Sequence, residues 1–114
     1  MNIAGVIIKN VLESVKVTAK LKHNLNLRNY WFQQYKKGDY MELHAHRDAD
    51  FSSVYYVDLP NGAVFTTFIF MGKEFEIEVK EGEVLTFYGC FQHMSKPTKN
   101  TKTIIAFNST FKNE

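Results

Sequence analysis

Cysteine is almost missing from this chain: Cys90 is the only one in 114 residues. An intramolecular disulfide and a cysteine-rich metal site are thereby excluded, and a reducing, cytoplasmic setting is expected. There are only two prolines and six glycines, no Pro/Gly/Ser-rich linker, no internal repeat and no low-complexity segment. Long apolar runs are missing as well. The opening MNIAGVIIKN meets a lysine at position 9, so it resembles neither a signal peptide nor a membrane span. Charge of one sign is not massed anywhere: the net charge is +2 with histidines neutral, and the scattered lysines leave no clear signal for nucleic acid. At this length one domain over residues 1–114, without a second catalytic domain, is expected.

What is present fits a globular β protein. Hydrophobic residues make up 45%, aromatics 15% and charged residues 23%, far from a disordered composition. Ile3, Ile7, Val11 and Val15 recur every fourth position, which predicts a short amphipathic helix over residues 3–15. The alternation VKVTAKLKHNLNL predicts a half-buried strand from Val15 to Leu27. From residue 30 the chain reads as short strands between turns. NYWFQQY, the turn KKGD, YMELHAH and FSSVYYVDL come first; after Pro60-Asn61-Gly62 follow AVFTTFIF, KEFEIEV, VLTFYGCF and TKTIIAFNSTF. Seven or eight short strands without intervening helices predict an antiparallel sandwich or barrel. KEFEIEV is the cleanest strand, with Phe75, Ile77 and Val79 facing in. Trp31, Phe32, Phe68, Phe70 and Phe87 are expected in the core, and Cys90 as a small buried hydrophobe.

The segment that carries chemistry is YKKGDYMELHAHRDADF. On a strand, side chains at i and i+2 share a face, so His44 and His46 can reach one ion. Imidazole suits iron, copper, nickel and zinc, and such a metal needs a third ligand. His93, at the end of a late strand that can pair beside the first, is one candidate. Asp48, two residues after His46, is another, able to complete a two-histidine, one-carboxylate set. His23 is expected at the surface. The bland reading is a pair of imidazoles on a solvated strand.

Two families resemble this arrangement, both double-stranded β-helix (jelly-roll) folds. The spacing Gly38-x5-His44-x-His46 is similar to the first cupin motif, and Gly82 to His93 to the second, although the cupin glutamate is absent. The fuller resemblance is to the 2-oxoglutarate/Fe(II)-dependent oxygenases, in the small bacterial and phage-type branch resembling prolyl hydroxylases. It rests on HAHRDADFSSVYYV, on the order Gly82, His93, Lys102, Phe107-Asn108, and on Tyr35 nine residues and Gly38 six residues before His44. It covers about residues 31–111.

The resemblance implies a mainly β jelly roll with at most one short N-terminal helix, and iron(II) held by His44, His46 and His93. His46 then stands where that family has a carboxylate, and Asp48 is a neighbour. It further implies 2-oxoglutarate as cosubstrate, its distal carboxylate paired with Lys102 and its pocket lined by Tyr35 and Tyr56, with hydroxylation of a substrate the chain does not name. The alternatives are a cupin-type metal-binding protein or a dioxygenase that does not use oxoglutarate, and a metal-free jelly-roll module for protein contacts. The mouth loops are expected at residues 47–52 and 94–101. With so little helix to cover the large sheet, a homo-oligomer that buries it is expected.

Overall fold

The computed structural model describes residues 3–61 and 65–112. Helix α1 (Ile3–Thr18) precedes eight strands: β1 (Leu25–Tyr35), β2 (Met41–His44), β3 (Phe51–Asp58), β4 (Thr66–Phe70), β5 (Lys73–Glu76), β6 (Val84–Tyr88), β7 (Gln92–Ser95) and β8 (Lys102–Phe111). They form two four-stranded antiparallel sheets, one in the order β1-β8-β3-β6 and the other β2-β7-β4-β5. Apart from the β4–β5 hairpin, each strand passes to the opposite sheet, and this winding is the expected jelly roll.

The helix runs three residues beyond the expected end, and the strand expected from Val15 begins only at Leu25. The reason is a helix stop without glycine. Lys20 adopts a left-handed conformation (φ 54°), the Leu21 amide donates to the Lys16 carbonyl and the Lys20 amide to that of Val17. This is a Schellman motif, and its αL position holds a lysine. The KKGD turn is as expected: Gly38 has φ 90°, and the Lys36 amide donates to the Asp39 carboxylate at 2.9 Å. The turn expected at Pro60-Asn61-Gly62 lies partly outside the described residues, as do Ala63 and Val64 of the strand after it.

The core lies between the sheets, where Tyr35, Val54, Tyr56, Phe68, Phe87 and Ile104 pack together. Phe32 and Phe70 are mostly exposed, against expectation, because they stand on faces that no described element covers. Phe75 does share a face with Phe68, as the β4–β5 register requires, and Ile77 lies just beyond the strand. Both nevertheless stay half-exposed, because β5 ends at Glu76 and the two sheets do not meet along the β5–β6 side. Helix α1 packs beside β1 and shares a groove with Phe51, Tyr55 and Tyr88 on the outer face of the larger sheet. That face is therefore only partly bare. Among the described residues no helix is long and apolar enough to cross a membrane.

Gly89 fastens the β2–β3 connection to the roll. Its carbonyl accepts from the His46 amide at 2.8 Å and its amide donates to the Asp50 carbonyl at 3.0 Å. A Cβ there would lie 2.2 Å from the Ala49 carbonyl oxygen and 2.6 Å from that of His46. Both obstacles are backbone, so neither can swing away. Gly89→Ala is expected to cost about 2–3 kcal/mol, read as a fall of roughly 10 °C in thermal midpoint; an unchanged midpoint would contradict this fastening.

Candidate metal centre

Three histidines arrive from two pieces of chain. His44 ends β2, His93 lies on β7, and the two are directly paired across the strands. His46 lies beyond the end of β2, so the two-residue strand spacing does not place it; the hydrogen bond to Gly89 does. His93 sits on its own strand rather than at the end of β6, because Gly89 and Cys90 turn the chain between them. The ring centroids are 4.2 Å apart for His44 and His93, 4.9 Å for His44 and His46, and 5.2 Å for His46 and His93. One ring nitrogen from each lies within 4.8 Å of the others.

Hydrogen bonds to backbone carbonyls orient two of the three imidazoles. The Nδ1–H of His44 donates to the Glu42 carbonyl at 2.7 Å and that of His93 to the Phe91 carbonyl at 2.9 Å. A carbonyl only accepts, so this tautomer leaves each Nε2 lone pair for an ion. Burial pushes the His93 pKa down to about 4, against the effect of the Phe91 carbonyl. Burial, then the neighbouring His44, lowers that of His46, with Asp48 opposing. His93 is buried at the base, with Phe87 packed at 4.8 Å, while His44 and His46 are half-buried toward the opening. The donor set, three imidazoles of which His44 and His93 have their tautomers held by carbonyls, suits a divalent transition metal. Asp48 does not join it: its carboxylate pairs with Arg28 at 3.2 Å, both exposed. His23 is exposed as expected, and so is Cys90, which faces out of the turn instead of packing inside.

Behind the histidines lies the second half of the site. Lys102, the first residue of β8, is 2% exposed. Its Nζ donates to Ser95 Oγ at 2.7 Å and lies 4.7 Å from the centre of the Tyr35 ring, a cation–π contact. Ser95 is two residues beyond His93 on β7, so both face the interior about 7 Å apart along the strand. Tyr56 is fully buried and its hydroxyl lies 2.6 Å from Thr66 Oγ1. Burial raises the pKa of Tyr35 to about 12 and also raises that of Tyr56, so both remain neutral phenols. Asn108 accepts from Ser52 Oγ at 2.7 Å and donates to Asn29 at 3.1 Å, on the same wall. Lys102, Tyr35, Tyr56 and the histidines all line one cavity of about 40 Å³. Ser95, Asn29 and Thr66 were not singled out in the sequence; a hydroxyl or amide on a strand gives no sign of its partner until register is known.

No protein-family model matches the chain, and no curated protein sequence does. Solved structures do. An oxidoreductase of the 2OG-Fe(II) oxygenase family from Burkholderia pseudomallei superposes on 87% of this chain with a TM-score of 0.77 at 13% identity. A Pseudomonas putida prolyl-4-hydroxylase superposes on 90% with a TM-score of 0.65 at 16% identity. A cupin domain from Bordetella pertussis superposes on 80%, and on 94% of its own length, with a TM-score of 0.54 at 9% identity. The likeness is one of fold. The double-stranded β-helix of this chain spans 51% and 63% of the lengths of the first two.

Within that β-helix, Lys102 is the costly member. Burial lowers its pKa from 10.5 to about 8, with Glu76 opposing weakly. Between pH 8 and 10.5 the unfolded chain keeps a proton that the folded chain has released, so stability rises with pH across this window. At pH 7 both forms are charged and the whole penalty, on the order of 3 kcal/mol, is present. Lys102→Met is expected to stabilise the protein at pH 7 by about 1–3 kcal/mol and to flatten the rise above pH 8. Urea unfolding at pH 7 and pH 10 checks both, and a destabilised variant at pH 7 would contradict the burial cost.

Proposed function

We propose that His44, His46 and His93 hold iron(II), that 2-oxoglutarate is the cosubstrate, and that the protein hydroxylates an organic substrate with dioxygen. The observation that carries this reading is the convergence of three imidazoles beside a buried lysine in one cavity. When bound, the iron supplies oxidation of a C–H bond to an alcohol by dioxygen, with oxoglutarate oxidised to succinate and carbon dioxide.

The chain's own residues then have defined tasks. Nδ1 hydrogen bonds to Glu42 and Phe91 fix the ring planes of His44 and His93. Lys102, steadied by Ser95 and the Tyr35 ring, offers a single positive charge to the distal carboxylate, without the two-pronged geometry of an arginine. Tyr56, held by Thr66, and Tyr35 present neutral hydroxyl groups. With no carboxylate among the ligands, the site keeps the full charge of the ion, which favours an anionic cosubstrate. Phe87 and Phe68 close the floor around His93, and Trp31, 5.9 Å from His46, flanks the opening.

One observation favours a second reading. A cavity of about 40 Å³ holds little more than one water molecule, whose share of liquid volume is ~30 Å³. A five-carbon diacid enters only if the walls yield, and Met41 and Met94 are the adaptable ones. A metal centre of cupin type that uses no oxoglutarate needs no such opening. Anaerobic addition of iron(II) followed by 2-oxoglutarate separates the two. The oxygenase reading predicts a visible metal-to-keto-acid charge-transfer band, lost in Lys102→Met while iron still binds. Iron binding with no band in the parent protein would favour the cupin-type reading.

A further inference from the structure

The three imidazoles of the triad are not held alike. The Nδ1 of His44 is bonded to the Glu42 carbonyl, and that of His93 to the Phe91 carbonyl. In each case the acceptor lies two residues earlier, so the local backbone sets the direction of the ring. For His46 the same bond would need the His44 carbonyl, and there the chain leaves β2 and turns toward Gly89. Neither ring nitrogen of His46 is hydrogen-bonded to any described residue. Its ring lies among other rings instead, 4.9 Å from that of His44, 5.2 Å from that of His93 and 5.9 Å from that of Trp31. Such contacts limit where the ring can go without aiming a nitrogen.

The backbone of His46, by contrast, is fixed. Its amide donates to the Gly89 carbonyl at 2.8 Å, and its own carbonyl accepts from the Ala49 amide at 3.1 Å. Its freedom therefore lies in the side-chain torsions. His46 is half-buried toward the opening, where a ring that lets go of an ion stays close to it, beside the partly buried Trp31. An outer hydrogen bond of the kind that His44 and His93 make changes metal affinity ~10–100-fold. The two held imidazoles therefore carry most of the grip on an ion, and the unheld one the least.

We propose that His46 is the exchangeable ligand of the metal centre: His44 and His93 retain the ion, and His46 cedes its position to an incoming anionic donor. The inference rests on the metal reading of the triad and adds a division of labour within it. In the exchange one lone pair replaces another, so the imidazole leaves neutral and no proton or electron changes place. An anion is the donor that fits. Bound imidazoles leave the charge of a divalent ion uncompensated, Asp48 is already paired with Arg28, and Lys102 adds a positive charge to the same cavity.

Cobalt(II), which shares the charge of iron(II) and its affinity for imidazole, tests this without oxoglutarate or turnover. Its binding to the full chain is read by quenching of Trp31, the only tryptophan. His44→Ala and His46→Ala alter two half-buried positions, and circular dichroism checks that both variants fold. His44→Ala is expected to bind cobalt at least ~tenfold more weakly than His46→Ala. Proton spectra of the cobalt-loaded parent protein are expected to show three sets of paramagnetically shifted imidazole signals. Two have ring N–H protons slow to exchange with water, and the third, from His46, exchanges fast. Saturating azide is expected to abolish the third set alone, a result that needs no variant. Equal losses in the two variants, or three sets that persist under azide, would overturn the proposal and leave the metal reading standing. A parent protein that binds no cobalt would overturn both.

Discussion

The antiparallel pairing of β2 with β7 sets His44 directly opposite His93, and the rest of the site is arranged around that pair. Opposed residues on neighbouring strands bring their side chains within a few ångströms of each other. That alone makes a two-imidazole site. The third ring depends on a smaller device, the reciprocal backbone bonds of Gly89 to His46 and Asp50, which bend the chain after β2 back over the roll. The bend needs a residue without a Cβ, since the backbone of residues 46–49 occupies the space where one would be.

Burial does two opposite things in this interior. It holds His93 and His46 neutral, which is the form a metal ion binds, and it keeps Tyr35 and Tyr56 as phenols. The same burial penalises Lys102, whose ammonium donates to the Ser95 hydroxyl and lies against the Tyr35 ring. A chain selected for stability alone would place an apolar residue at the start of β8, where its neighbours Thr103 and Ile104 are also buried. A charged side chain kept there at a cost is the kind of local conflict that marks sites of function.

Much of the architecture was legible in the sequence, and the departures have physical causes. Period-two patterning and turn residues predicted an antiparallel sandwich or barrel, the motif resemblance narrowed it to the jelly roll that is observed, and Gly38 and the strand pairing behaved as read. The Val15–Leu27 alternation misled because Lys20 performs the helix stop normally signalled by glycine. Phe32 and Phe70 misled because an aromatic residue in a strand does not reveal whether its face is covered. His44, His46 and His93 do converge as their spacing suggested, but His46 is brought there by its bond to Gly89 and not by strand alternation. Ser95, Thr66 and Asn29 were invisible, since their partners Lys102, Tyr56 and Asn108 lie across strand registers that one sequence does not state. The comparison with solved structures added the fold and left the chemistry to the residues.

The claim on which this account rests is that the three imidazoles share one ion. Crystals grown anaerobically with iron(II), and measured for anomalous scattering at the iron edge, test it most directly. The account predicts one strong peak between the Nε2 atoms of His44, His46 and His93, with Nδ1 of His44 and His93 still bonded to the carbonyls of Glu42 and Phe91. A peak that included the Asp48 carboxylate and left out one of these rings, or no peak within the triad at saturating iron, would contradict it.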